Sequence, residues 1–342
     1  MIPSFDIGPM DFPAYFTLLT VGFMAAIWLA WREAPGVGVD QNALLDTALV
    51  ALVMGILGAR GLHVLVDGYL QDYIHLCLDP LALEGRALPH GWKCPTDFVC
   101  QIWERGALCH PETGLCHPAR DCLRPLKFWY GGLTYYGGFL SAFAACLWFV
   151  RRRRMPVWRV ADLTGFAIAL GLVFGRLGCF FAGCCFGKTW SGSLAVAFPR
   201  GGPAWRQHVD QSQMLQHFTR DLAPGSTWWN EIAALAHLPK SAAASWPVHA
   251  TQLYEMLVNV FVFAACYWLF KKRRSYDGKV FWWFVLLYSV GRFITEAWRN
   301  DERGLWFGEA LSTSQLIGIP LVLLALFMMW RGRRAAGAES SR

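Results

Sequence analysis

Seven stretches of this chain stay apolar for long enough to cross a bilayer. They run approximately over 13–31, 45–66, 131–150, 158–181, 251–270, 279–298 and 313–330. A helix rising 1.5 Å per residue needs about 20 such residues to cover roughly 30 Å of hydrocarbon. Lipid offers no partner to a backbone amide, so each span must pair its own amides by being helical. The expected fold is an all-α polytopic membrane protein with seven transmembrane helices. Composition agrees, with 55% of residues in the set AVILMFWYC and 16% charged, where about 25% charged is usual for a soluble domain. A disordered chain, which needs low hydrophobicity and high charge, is excluded.

The basic residues set the orientation. Arg32 follows the first span, Arg151 to Arg154 the third, Lys271 to Arg274 the fifth, and Arg331, Arg333 and Arg334 the seventh. Every odd span therefore ends in positive charge, which places those ends in the cytoplasm, the N-terminus in the periplasm and the C-terminus inside. The net charge of +7 is accounted for by this pattern, so no nucleic-acid partner is expected. Residues 1–12 carry Asp6 and Asp11 and no Lys or Arg. They lack the positive n-region of a cleavable signal, so the first span is expected to stay.

Residues 1–342 then read as one membrane domain with two long periplasmic segments, 67–129 and 183–248. The first holds Cys77, Cys94, Cys100, Cys109, Cys116 and Cys122. Six cysteines on an oxidising side suggest three disulfides, with the pairing left open among fifteen arrangements. A zinc site built from the same cysteines with His110 and His117 is the competing reading.

Charges inside spans are costly and mark function by default. Here they are Arg60, Arg176, Glu255, Arg292 and Glu296, all in the outer half of their spans, with Asp162 at an inner end and read as interfacial. Tyr15 and His249 lie near the same depth. Three Arg against two Glu leave positive charge, which suits a phosphate such as a phospholipid head group. Tyr288, Arg292 and Glu296 are spaced i, i+4, i+8 and form one helical stripe. The plainer reading of that stripe is an ion pair that eases insertion. Gly175-Arg176-Leu177-Gly178 opens a glycine-rich stretch ending at Lys188, which suits irregular backbone lining a ligand, although small residues also serve close helix packing.

The stretch Gly175-Arg176-Leu177-Gly178-Cys179-Phe180-Phe181-Ala182-Gly183-Cys184-Cys185-Phe186-Gly187-Lys188 resembles the signature of the bacterial prolipoprotein diacylglyceryl transferases, roughly G-R-[IL]-G-N-F-x-N-G-E-x-x-G-R. Tyr15 with Gly22-Phe23 is similar to the family's first-span motif, and Gly58-Ala59-Arg60 to its G-[AG]-R. Gly131 to Gly138 resembles its G-G-M-S-F-H-G-G, His249 to Glu255 its H-P-[ST]-Q-L-Y-E, and Tyr288 to Phe293 with Glu296 its Y-G-x-x-R-F-x-x-E. The resemblance implies a multi-pass enzyme of the bacterial inner membrane that moves a diacylglyceryl group from phosphatidylglycerol to the cysteine thiol of a prolipoprotein signal peptide (its lipobox), releasing glycerol phosphate. It also implies membrane lipid as a partner, and no metal or cofactor.

On that resemblance Arg176 and Arg292 hold the phosphate, Glu296 orients Arg292, and Tyr15 and Tyr288 donate to head-group oxygens. His249 orients Gln252 or serves as base for the acceptor thiol. Arg60, Gly178, Cys179, Gly187, Lys188, Tyr136, Gln252 and Glu255 complete the substrate site. This chain departs from the pattern at Cys179, Ala182, Cys184, Lys188 and Tyr136, where the family has Asn, Asn, Glu, Arg and His. A related lipid transferase with another donor or acceptor is thus a second reading, and a lipid-binding scaffold another. A thiol-redox or metal protein built on Cys179, Cys184 and Cys185 belongs to a different class, although C-x4-C-C lacks the usual C-x2-C metal spacing. Plain packing of small apolar thiols or a structural disulfide is the simplest account of that trio, and plain packing is the one expected for Cys146 and Cys266.

Overall fold

The computed structural model describes residues 4–7, 10–66, 69–85, 107–110, 115–127, 132–221, 242–300, 305–306 and 311–340. Cys94, Cys100 and Gly131, together with 86–106 and 222–241, lie outside the described residues. The described helices are α1 (Ala14–Glu33), α2 (Gln41–Val66), α3 (Leu70–Leu78), α4 (Tyr135–Arg152), α5 (Val157–Ala182), α6 (Pro203–Asp221), α7 (Thr251–Lys272), α8 (Lys279–Thr295) and α9 (Thr313–Ser340). Short antiparallel pairs join β1 (Ser4–Ile7) to β2 (Met10–Pro13), β3 (Leu108–Cys109) to β4 (Cys116–His117), and β5 (Leu305–Trp306) to β6 (Leu311–Ser312).

Six helical stretches among the described residues are long and apolar enough to cross a membrane: Ala14–Glu33, Gln41–Val66, Val157–Ala182, Thr251–Lys272, Lys279–Trp298 and Thr313–Gly337. The expectation of seven is met in six. The third expected span folds as α4, but that helix has 18 residues and ends in Arg151 and Arg152. Its apolar part covers only about 24 Å at 1.5 Å per residue. Between 17% and 33% of each of the six apolar windows is buried. Large side chains such as Phe16, Leu257, Phe261 and Leu323 stand exposed, as lipid-facing side chains do.

The chain divides into two compact units, residues 1–41 with 156–342 and residues 42–155. In the first, α5 packs against α1, α7 and α8, and α8 also packs against α7 and α9. Lipid supplies no hydrophobic drive between helices, so close backbone approach must do the work. A Cβ on Gly22 would sit 2.4 Å from Phe174 Cβ, and one on Gly165 3.2 Å from Phe281 Cα. These two glycines set the α1–α5 and α5–α8 crossings.

Asp162, expected at an interface, is fully buried. Its carboxylate accepts from the backbone amides of Gly278 (2.9 Å), Val280 (2.8 Å) and Phe281 (3.0 Å). These are orphan donors of the first turn of α8, so Asp162 caps a neighbouring helix rather than facing water. Glu33, at the end of α1, reaches Tyr267 (2.9 Å) and Lys271 (2.5 Å) on α7.

Beyond α5 the chain forms a layer of bridges. Val196 and Val248 exchange backbone hydrogen bonds at 3.0 Å each. Phe186, Phe198, Ala204 and Val248 form a buried cluster beneath. His208 of α6 is fully buried there, with its ring against Phe186 and Trp246, and neither ring nitrogen has a hydrogen-bond partner among the described residues. Burial pushes its pKa from the ordinary 6.5 down to about 4.

In the second unit, α2 and α4 cross at Gly58 and Gly137. A Cβ on Gly58 would meet Ser141 Oγ at 2.0 Å, and one on Gly137 would meet Gly58 O at 2.4 Å. Arg60 donates to the carbonyls of Pro125 (2.7 Å), Arg124 (2.7 Å) and Gly132 (3.1 Å), and its guanidinium lies over the Tyr73 ring at 5.2 Å. Cys77 is bonded to Cys122, and Cys109 and Cys116 are also disulfide-bonded. These four are therefore not thiolate ligands, which sets aside the zinc reading for them.

This packing sets three expectations for stability. Replacing Asp162 with Ala leaves three buried amides without acceptors, and denaturation in detergent should show a loss of about 3 kcal/mol. Asp277→Ala, which cuts the exposed pair with Arg159, should cost under about 1 kcal/mol. For His208, the unfolded chain binds the proton more readily than the folded one below pH 6.5. Its contribution is complete above that pH and declines as pH falls from 6.5 towards about 4. His208→Phe should flatten that limb of the stability–pH curve.

Candidate functional site

The site begins with one carboxylate. Glu255 lies in α7, 4% exposed, and an isolated charge there would be prohibitively costly. It is met from three directions. Arg176 Nε of α5 is 2.6 Å from Oε2, Arg292 Nη1 of α8 is 2.9 Å from Oε1, and Arg299 Nη1 is 2.6 Å from the same oxygen. Arg292 Nη2 also pairs with Glu296 Oε2 at 2.6 Å and donates to Ser314 Oγ at 3.4 Å. The expected stripe on α8 is therefore present, with Glu296 just past the helix end. Among the described residues, three guanidiniums and two carboxylates meet here inside an apolar bundle.

Arg299 was not anticipated. It continues the stripe at i+7 from Arg292, but it lies one residue beyond the apolar run 279–298 and reads there as a flanking charge. In the structure it is 4% exposed. Asn259, one turn after Glu255, was also missed. It donates to the Glu255 carbonyl at 2.7 Å. With Tyr288, Gly291, Arg292 and Thr295 it lines a small cavity beside the ion pairs.

The glycine-rich stretch folds against this cluster. α5 ends at Gly183, whose φ of +71° is the left-handed cap that stops the helix. Cys185 follows with φ +58°, rare for a residue with a Cβ. The turn is held from α7: Gln252 Nε2 donates to the Cys184 carbonyl at 2.7 Å, and Thr251 Oγ1 to the Cys185 carbonyl at 2.9 Å. Gly187 then passes between two strands of backbone, its amide bonded to His249 O at 2.9 Å. A Cβ there would lie 2.4 Å from Trp298 O, so only glycine fits. Lys188 donates its backbone amide to Trp298 O at 2.9 Å and its ammonium to Ala297 O at 3.1 Å. Gly178 is packed closely but less severely, since a Cβ would lie 3.2 Å from the Tyr15 carbonyl oxygen.

The turn brings the sulfurs of Cys179, Cys184 and Cys185 within 4.8 Å of one another. Cys184 Sγ also lies 3.8 Å from the Cys179 carbonyl. Hydrogen bonds from Cys179 and Cys184 hold the Cys185 thiol well below its ordinary pKa. The Cys184 thiol is held well above its own by its hydrogen bonds to Cys179 and Cys185, and by burial. The C-x4-C-C spacing argued against a metal set. The left-handed backbone at 183 and 185 is what makes the three converge anyway.

His249 stands differently from the expectation. Its ring stacks on Trp190, with centroids 4.4 Å apart, and its Nδ1 is 3.2 Å from Tyr254 Oη. Gln252 is oriented by Cys184 rather than by His249. Burial, with the Lys188 charge adding to it, lowers the His249 pKa, so its neutral form is favoured. Arg60 and Tyr136 belong to the second unit. Arg60 is committed to the backbone carbonyls described above, and the Tyr136 ring is half-exposed against Tyr135.

A model of the family described as prolipoprotein diacylglyceryl transferase matches residues 3–91 and 115–331. A phosphatidylglycerol–prolipoprotein diacylglyceryl transferase of Stenotrophomonas maltophilia is 27% identical over 337 residues, covering 97% of this chain and 92% of its own. One of Thermus thermophilus is 28% identical over 352 residues, covering 98% and 99%. One of Xylella fastidiosa (strain M23) is 30% identical over 342 residues, covering 97% and 92%.

The cluster makes its own prediction. Glu255→Gln removes the charge that three guanidiniums share, so thermal unfolding in detergent should show a loss of about 3–5 kcal/mol. Adding an anionic phospholipid should return part of that loss, because a bound phosphate supplies the missing charge.

Proposed function

Because the chain belongs to the prolipoprotein diacylglyceryl transferase family, we propose that it is a transferase that moves a diacylglyceryl group from phosphatidylglycerol to a lipobox cysteine thiol. The observation that carries this reading is the cluster of three arginines gathered on Glu255 within an apolar bundle. A phosphodiester is the anion that a lipid brings to such a place.

In the reaction the acceptor sulfur attacks the glyceryl carbon that bears the phosphate ester. A C–S bond forms, the C–O bond breaks, and its electron pair leaves on glycerol phosphate. Arg176, Arg292 and Arg299 stabilise the charge that grows on that leaving group, in a site where water is scarce and each fixed donor counts for more. Glu255 and Glu296 hold the guanidiniums in position before substrate arrives, so little reorganisation is needed. Tyr288 lines the cavity beside Arg292 and Tyr15 packs on Gly178, and both hydroxyls serve as donors to head-group oxygens.

The membrane arrangement belongs to the same proposal. α4 acts as the seventh span, short but completed by Arg151 and Arg152 reaching for the cytoplasmic head groups. The N-terminus is then periplasmic, the C-terminus cytoplasmic and the enzyme multi-pass in the bacterial inner membrane. The arginine cluster and the loop that follows α5 fall at the outer leaflet, where a secreted prolipoprotein presents its signal peptide.

The test is direct. The purified chain in nanodiscs receives phosphatidylglycerol labelled in its acyl chains and a lipobox peptide. The expected product is a thioether-linked diacylglyceryl peptide, seen by mass, with none from a Cys→Ser peptide. Arg292→Ala should lower its rate of formation by at least about 100-fold. Lipid bound without any thioether product would contradict the reading.

A further inference from the structure

The three thiols at the end of α5 are not used by the mechanism above. We propose that Cys179, Cys184 and Cys185 form a metal site for a thiophilic d10 cation of the zinc class, and that its fourth coordination position takes the acceptor thiol. The second half of this inference rests on the transferase reading; the site itself does not.

Geometry carries the argument. A zinc ion bonded to thiolates at about 2.3 Å places its sulfurs roughly 3.8 Å apart. The three sulfurs here already lie within 4.8 Å of one another, so less than about 1 Å of contraction closes the triangle. Disulfide formation fits the trio poorly. Cys184 and Cys185 are adjacent, and consecutive Cα atoms lie about 3.8 Å apart, below the usual range of about 4.4–6.8 Å for a disulfide. Any disulfide would also strand the third thiol.

The backbone is fixed as ligand backbones need to be. Gln252 and Thr251 hold the carbonyls of Cys184 and Cys185, and the left-handed φ of +58° at Cys185 is a strained conformation for a residue with a Cβ. Three thiolates on a divalent cation carry excess negative charge. Arg176, one helical turn before Cys179, and Arg299 both act on Cys185 electrostatically, so the surroundings offset it.

Three protein ligands and one open position is the arrangement of a catalytic rather than a structural zinc. A thiol entering that position loses its proton to solvent, because a coordinated thiol is deprotonated outright. The metal-bound sulfur then attacks the glyceryl carbon and the ester electrons leave with glycerol phosphate. The thioether product is neutral and a weaker ligand, so it departs and the position reopens. The metal would thus activate the acceptor in a chain whose signature carries Cys179 and Cys184 in place of Asn and Glu.

The experiment uses the full chain purified under reductant. Zinc is counted by mass spectrometry, cobalt(II) is exchanged in, and the sulfur-to-cobalt absorption is followed as lipobox peptide is added. The expected result is roughly one metal per chain, lost in Cys184→Ser and Cys185→Ser and retained in Cys146→Ser. The cobalt spectrum should shift with the Cys peptide and not with its Ser analogue. Chelation of the wild type, which removes any question of folding variants, should lower transfer at least about tenfold, with zinc restoring it.

Metal-free protein with all three thiols titratable and no cobalt absorption overturns the proposal. So does a disulfide within the trio, or stoichiometric copper(I) with no response to peptide. Full transfer by the chelated enzyme overturns it while leaving the transferase reading intact. A peptide-responsive cobalt spectrum without transfer from phosphatidylglycerol upholds the metal site and contradicts the transferase reading instead.

Discussion

One buried carboxylate organises the first unit. Glu255 accepts Arg176 from α5, Arg292 from α8 and Arg299 from the turn beyond α8. None of these four groups could be buried alone, because removing an ion from water costs several kcal/mol even after relaxation. Together they can, and the helices that carry them are thereby fixed in register. Charges in a low-dielectric bundle act far more strongly than the same charges in water, so the arginines gathered here suit the phosphate we propose for them.

The loop after α5 is shaped by what stands beside that cluster. Gly183 ends the helix, Gly187 slips between His249 and Trp298, and Gln252 pins the turn. Gln252 lies one turn before Glu255 on α7, so the helix that holds the arginines also holds the thiol loop. The arginines and the sulfurs are in this way positioned by the same helix.

Much of this was legible in the sequence. Apolar runs gave the spans, and charges within them gave Arg176, Glu255, Arg292 and Glu296, because a charge in hydrocarbon needs a reason. What was misread shares a cause. Asp162 looked interfacial because its partners are the amides of Gly278, Val280 and Phe281, more than a hundred residues away, and no local pattern announces a cap borrowed from another helix. Arg299 lay just past an apolar window and so resembled an ordinary flanking charge. Arg60, singled out by the same depth, donates to the carbonyls of residues 124, 125 and 132, contacts that depth alone does not announce. The C-x4-C-C spacing did not announce that the three sulfurs converge, because the left-handed backbone at Gly183 and Cys185 that brings them together leaves no mark on spacing.

The central claim is that the three arginines around Glu255 bind the phosphate of a lipid head group. It is tested most directly by phosphorus NMR of phosphatidylglycerol in nanodiscs holding the chain. The account predicts a distinct bound-phosphate resonance that is lost in Arg176→Ala, Arg292→Ala and Arg299→Ala alike. A bound resonance unchanged in all three variants would contradict it.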